Sequence, residues 1–244
     1  MMGNLIRKEI LFTKKEKEYM YWILFIGIAL LSYVVQSNLQ GKFKKYSKVP
    51  VASGMTGREV AEKMLRDNGI YNVTVTCTPG HLTDHYDPTR QTVNLSESVY
   101  GSNSVAAAAV AAHECGHAVQ HATAYAPLQL RSALVPVVSL ASNWVSWVLL
   151  AGILLVESFP GILLAGIILF ACTTLFSVVT LPVEIDASRR ATRWLQTAGI
   201  TGPREQPMAV SALRSAAYTY VVAAVSSLAT LVYYILVYMG GQRD

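Results

Sequence analysis

Residues 158–183 read SFPGILLAGIILFACTTLFSVVTLPV, with no charge between Glu157 and Glu184. About 20 apolar residues in a helix cross a bilayer core, so this run is long enough to span one. Three other uncharged runs match it. The first lies between Glu18 and Lys42 and is centred on Met20–Val35. The second runs from Ser132 to Val156 and the last from Ser215 to Gln242. One such run alone could be the buried helix of a large soluble core. Four of them in 244 residues leave too little polar sequence to wrap that core. Charged residues make up 14% of the chain, against about 25% in an average soluble domain. This composition excludes a plain cytosolic globule, a disordered chain and a disulfide-stapled secreted module. The fold expected is a mainly α membrane protein with about four transmembrane helices.

The first run starts late, follows a mixed Lys/Glu stretch and lacks a small-x-small exit, so it reads as a retained anchor rather than a cleaved signal. Pro136, Pro160 and Pro182 all fall near span ends, where a missing N–H costs least. With four spans, residues 42–131 and 184–214 share one side of the membrane. That side carries Lys42, Lys44, Lys45, Lys48, Arg131, Arg189, Arg190, Arg193, Arg204 and Arg214. The other carries Arg7, Lys8, Lys14, Lys15, Lys17 and Arg243. Ten against six places the two larger loops in the cytoplasm. The three cysteines, Cys77, Cys115 and Cys172, suggest no disulfide framework. The net charge of +5 belongs to span-flanking residues that meet anionic headgroups. The partner it implies is the lipid bilayer, not nucleic acid.

Residues 42–131 hold most of the polar sequence. Thr56-Gly-Arg-Glu59 reads as a capping box, opening a short helix with Val60, Ala61, Met64 and Leu65 on its apolar face. Asn68-Gly69 is its stop. Tyr71–Cys77 alternates in β-prone residues and reads as a strand, Thr83–Tyr86 as a second and Gln91–Leu95 as a third. Asp87-Pro88-Thr89-Arg90 supplies turn chemistry between the last two. The natural reading is a short antiparallel sheet in a small α+β zincin-like region. From Ser104 the sequence is alanine-rich and helix-forming, and it leads into His113-Glu114-Cys115-Gly116-His117.

On a helix, residues four apart share a face, so His113 and His117 can hold one zinc ion. Glu114 is rotated about 100° and can reach a water activated by the metal, taking its proton as general base. A catalytic zinc takes a third protein ligand and leaves one position open. His121 lies about 80° round the helix from His113 and points past the metal, towards a supporting or surface role. His81 and His85 sit in the strand region and either line the cleft or are exposed. Of the carboxylates in the apolar half, Glu157 and Asp244 lie across the membrane and Glu205 lies in a loop with Gly202 and Pro203. Glu184 ends the third span on the side of the motif and opens a helical pattern over about 182–198. A carboxylate at a membrane boundary is costly unless it is paired or metal-bound. His113, His117 and Glu184 therefore make a gluzincin-type metal site. Asp186 is expected either to support that site or to pair with Arg190 four residues on.

Several segments are more specific than the motif: Gly-His-Leu-Thr-Asp-His-Tyr-Asp-Pro at 80–88, Val-Asn-Leu-Ser-Glu at 93–97, Ala-Ala-His-Glu-Cys-Gly-His-Ala-Val-Gln-His at 111–121, Tyr-Ala-Pro-Leu at 125–128, Arg-Ser-Ala-Leu-Val-Pro at 131–136 and Leu-Pro-Val-Glu-Ile-Asp-Ala-Ser-Arg-Arg-Ala at 181–191. On these the chain resembles the YugP-like family of bacterial membrane-bound neutral zinc metallopeptidases, from about residue 20 to the end. The resemblance implies a multi-span zinc peptidase in the bacterial cytoplasmic membrane, and the chain as a whole, 1–244, reads as one such domain with a soluble-looking catalytic insert over about 42–131. His113, His117 and Glu184 would be its ligands and Glu114 its base. The family looks like a distant relative of the heat-shock-type peptidases that degrade damaged membrane proteins. An unfolded or membrane protein is therefore the expected substrate, and membrane-protein quality control the expected setting. Residues 1–18 lie beyond the resemblance. Cys115 stands where an aliphatic residue is expected, on the packing side of the helix, where a small buried thiol fits and a redox switch is the rival role.

In zincins an extended substrate pairs with a strand edge beside the zinc helix, and Gln91–Leu95 is the edge expected here. A donor for the developing oxyanion is sought among His81, His85, His121, Tyr218 and Tyr220. The alternatives are a catalytically silent zinc-binding scaffold or chaperone-like protein, and a site-2-type protease with its motif inside a span. The polar strands ahead of the motif disfavour the latter. Five histidines are too few for a di-iron desaturase.

Overall fold

The computed structural model describes residues 14–80 and 82–241. The expectations attached to His81, to residues 1–13 and to Arg243 and Asp244 lie outside them. In chain order the elements are α1 (Lys14–Tyr46), α2 (Gly57–Asp67), β1 (Thr74–Thr78), β2 (His85–Asp87), β3 (Thr92–Ser96), α3 (Glu97–Tyr100), α4 (Val105–Ala122), α5 (Ala126–Leu154), α6 (Pro160–Thr197) and α7 (Gln206–Gly241). Among the described residues, four helices are long and apolar enough to cross a membrane, over Tyr19–Tyr46, Ala126–Leu154, Pro160–Thr197 and Gln206–Gly240. They correspond to the four uncharged runs, and the protein is a mainly α membrane protein with a small α+β region.

These helices outrun the spans. The 38 residues of α6 extend about 57 Å at 1.5 Å per residue, nearly twice the roughly 30 Å of hydrocarbon. The helix expected separately over 182–198 is the C-terminal end of α6. Pro160 is the first residue of α6, a position that suits proline. Pro136 and Pro182 differ from expectation. Both lie inside helices, because the helical backbone continues past the boundary at which the uncharged run ends.

The chain forms two compact units. One comprises Met1–Tyr33, Ala133–Val178 and Val222–Asp244; the other comprises Val34–Ser132 and Val179–Val221. Within the first unit, α5 and α6 approach each other at glycines, as close-packed membrane helices do. A Cβ on Gly152 would lie 2.5 Å from the Leu163 Cα, and one on Gly166 would lie 2.8 Å from the Leu149 side chain. Its outward residues, among them Ile23, Trp147 and Leu154, are large, apolar and exposed, as lipid contact requires.

The second unit carries the polar sequence. Helix α2 begins with the capping box: the Thr56 side chain accepts from the Glu59 N–H, and the Glu59 carboxylate accepts from the Thr56 N–H at 2.8 Å. It ends before Gly69, whose φ of +71° is the left-handed conformation that favours glycine. The sheet has the order β1-β3-β2. Strands β2 and β3 pair antiparallel, whereas β1 and β3 pair parallel. The sheet is therefore mixed rather than antiparallel. The link after Thr78 reverses the chain but sets β2 two positions away, and β3 fills the gap. Asp84, on that link, pins β3 by accepting from the Ser96 N–H at 2.7 Å and the Ser96 hydroxyl at 3.1 Å. Asp87 makes the expected turn, accepting from the Thr89 and Arg90 N–H groups.

Helix α4, capped by the Ser104 side chain on the Ala107 N–H, runs through the core of this unit. Ala107, Ala108, Ala109, Ala111 and Ala112 are all buried. A helix segment that is apolar all round is a buried one, and the alanine run places its small side chains in this core. Cys115 is buried on the packing side of the helix as expected, where it donates to the Ala61 carbonyl of α2 at 3.5 Å.

Candidate metal centre

The centre forms where α4 meets the C-terminal end of α6. His113, Gly116, His117 and Gln120 recur at the spacing that lines one helix face. Val183, Glu184 and Ala187 form the facing stripe of α6. The seam is tight at Gly116, where a Cβ would sit 2.8 Å from the Ala187 carbonyl oxygen and 3.1 Å from its Cα. Only glycine allows this approach, and it brings Glu184 to the histidines. Glu184 is 2% exposed. Its Oε2 stands 3.2 Å from His113 Nε2 and 3.6 Å from His117 Nε2. One donor atom from each of the three residues lies within 4.8 Å of the others. A tetrahedral zinc with bonds near 2.1 Å separates its ligand atoms by about 3.4 Å, so two imidazole nitrogens and a carboxylate oxygen at these spacings fit that ion.

Burial by itself lowers the His117 pKa. The Glu184 hydrogen bond and the charges of Glu114 and Glu184 outweigh it and hold the ring above its ordinary value. Both outer ring nitrogens are engaged. His113 Nδ1 lies 3.1 Å from the Ser188 hydroxyl, and His117 Nδ1 lies 3.0 Å from Gln120 Oε1. Arg131 Nη1 is 3.6 Å from the second Glu184 oxygen, Oε1, which directs Oε2 towards the histidines. Glu114, partly exposed beside them, forms neither a hydrogen bond nor an ion pair with any other described residue.

The remaining residues singled out in the sequence fall into place around this group. Asp186 makes the expected pair with Arg190, accepting from its Nε at 2.6 Å, and also accepts from Gln120 Nε2 at 2.9 Å. His121 is exposed and sits 3.3 Å from the Tyr86 hydroxyl, away from the donors. His85 belongs to the sheet, bonded to Thr83 and Asn94. Tyr218 accepts from Arg214 at 3.0 Å, whereas Tyr220 interacts with both Glu184 and Glu114. Gln120, Ser188 and Arg131 escaped the sequence reading. The signal for Gln120 and Ser188 was only their spacing, three residues from His117 and four from Glu184.

The sheet overturns a further expectation. Gln91–Leu95 is no free edge, because β3 is the central strand with a partner on each side. Among the described residues the edges are β1 and β2, and β2 is the one whose Tyr86 reaches α4.

Among the described residues, four membrane-length helices and a candidate site of two histidines and a glutamate fit a membrane protein of the zinc metallopeptidase class. Comparison of the sequence with protein families agrees: residues 21–239 match the model of a family described as "Putative neutral zinc metallopeptidase". The chain belongs to that family. It is 42% identical over 223 residues to "Putative membrane protease YugP" of Bacillus subtilis (strain 168), covering 91% of this chain and 98% of that one. No solved structure matches.

Proposed function

We propose that the protein is a zinc-dependent endopeptidase of the cytoplasmic membrane that cuts unfolded or membrane proteins at the cytoplasmic surface. The convergence of His113 Nε2, His117 Nε2 and Glu184 Oε2 from two helices, with Glu114 beside them and engaged in no hydrogen bond or ion pair among the described residues, carries this reading. Zinc, when bound, polarises the attacking water and the scissile carbonyl. Glu114 takes the proton of that water and hands it to the leaving amine. Tyr220 donates a hydrogen bond to the carbonyl oxygen as negative charge develops on it. The substrate backbone pairs with the outer edge of β2, which binds peptide by its main chain and so reads little sequence. The ten basic residues flanking the spans on the side of the site favour the cytoplasmic orientation, and membrane-protein quality control suits such broad specificity.

The test is a matched set on purified full-length protein in detergent, measuring zinc content and cleavage of an unfolded protein. Glu114→Gln is expected to keep zinc and lose cleavage, and Glu184→Ala to lose both. Full function in Glu114→Gln would instead establish a scaffold that merely holds zinc. Full zinc in Glu184→Ala would remove the third ligand. Backbone N-methylation of a peptide substrate flanking its cleaved bond is expected to raise KM, and an unchanged KM would rule out strand pairing.

A further inference from the structure

We infer that Gln120 and Asp186 form a relay that sets which nitrogen of His117 faces the metal, so that Asp186 positions a ligand it never touches. The inference rests on the proposed ligand set of His113, His117 and Glu184. Gln120 is wholly buried, at 0% exposure. Its amide nitrogen carries two hydrogens and meets two groups that only accept: the Val183 carbonyl at 2.8 Å and the Asp186 carboxylate at 2.9 Å. That dictates the amide orientation. Oε1 therefore faces His117 Nδ1, 3.0 Å away. An amide oxygen only accepts, so Nδ1 must carry the hydrogen. In a neutral ring the lone pair then sits on Nε2, the atom that stands with Glu184.

Ser188 lies against His113 Nδ1 at 3.1 Å, but a hydroxyl both donates and accepts and so dictates nothing. The two ligand histidines are thus held differently, and only His117 has its tautomer forced. The amide bridge has a geometric reason. Asp186 is about 200° round α6 from Glu184, so its carboxylate points away from the metal donors and needs an intermediary. Arg190 anchors the far end through its 2.6 Å bond to Asp186, and its guanidinium lies 5.8 Å from the Tyr125 ring centroid. The carboxylate charge polarises the amide, which strengthens Oε1 as an acceptor and makes His117 a better donor to the metal.

The experiment measures zinc affinity by chelator competition on full-length protein, for Gln120→Met, Asp186→Ala, the double variant and Glu184→Ala. Loss of an outer-shell partner weakens metal binding by about 10–100-fold. That loss is expected for Gln120→Met, and roughly the lower end of it for Asp186→Ala. The double variant should bind within about twofold of Gln120→Met, because a relay cut once is not cut further. Additive losses, or wild-type affinity in Asp186→Ala, would overturn the relay. If Gln120→Met does not fold, Asp186→Ala still decides, together with imidazole ¹⁵N spectra of the neutral ring in the wild-type protein. Those spectra should show the His117 hydrogen on Nδ1, and finding it on Nε2 would also overturn the relay. Glu184→Ala separates the two ideas: wild-type zinc affinity there refutes the ligand set, whereas zinc loss there with unchanged binding in Gln120→Met refutes the relay alone.

Discussion

Replacing Gly116 by alanine tests how the centre is assembled. The added methyl group would meet the Ala187 carbonyl oxygen at 2.8 Å and its Cα at 3.1 Å. Carbon contacts relax near about 3.5 Å, so α4 and α6 must part by roughly 0.5 Å. Both neighbours are backbone atoms, and no rotamer change relieves them. Glu184 sits three residues before Ala187 on the same helix and moves with it. Its 3.2 and 3.6 Å separations from the histidines then widen away from the roughly 3.4 Å edge of a zinc tetrahedron. Two effects oppose each other in stability. Alanine gains about 1 kcal/mol over glycine as a helix former, while overpacking costs about 1–3 kcal/mol. The variant should therefore be neutral to about 2 kcal/mol less stable. A misplacement of 1 Å costs about 10²-fold in rate, so half of that should lower kcat about tenfold, with weakened zinc binding. Thermal melts, chelator competition and turnover of an unfolded protein measure all three. A Gly116→Ala protein that is more stable, with wild-type zinc affinity and kcat, would show that the seam is not tight and that the close approach does not position Glu184.

Tyr220→Phe should keep zinc and KM but lose about 10²–10³-fold in kcat, the effect of removing one oxyanion donor; a kcat within twofold of wild type excludes it. Cys77 is exposed and Cys115 buried, and burial pushes the Cys115 thiol well above its ordinary range. Mass spectrometry after maleimide treatment of native protein should find Cys77 modified and Cys115 untouched until unfolding, and early labelling of Cys115 would revive the redox-switch reading. The Thr56 N–H and hydroxyl hold the Glu59 carboxyl below its usual pKa. A carboxylate depressed in the folded state stabilises above its unfolded pKa and loses that contribution as pH falls through the folded one. Tm should therefore drop on acidification below about 4.5, and Glu59→Gln should flatten that part of the profile. Superimposable pH profiles would deny the cap its role.

The sequence by itself determined the features that depend on neighbours a few residues away. Uncharged runs marked all four membrane helices, because crossing lipid demands about 20 apolar residues in succession. The Thr56–Glu59 box and Gly69 bounded α2, because capping chemistry is local. The HExxH spacing put His113 and His117 on one face. The grouping of Glu184 with these histidines was legible for another reason: so few carboxylates occupy the apolar half that the one ending the third uncharged run stood out.

Tertiary structure alone decided what joins distant segments. The alternation in β3 marked a strand but not its partners, since a central strand and an edge strand share one period; its parallel pairing with β1 and its central place follow from where the 79–84 link lays β2. Glycine within the motif gave no hint that Ala187 backbone lies against it. The contacts that complete the centre span 71 residues from His113 to Glu184, 75 from His113 to Ser188 and 66 from Gln120 to Asp186. No local spacing encodes such contacts. They exist because Gly116 lets two helices approach closely enough for the outer groups of one to reach the histidines of the other.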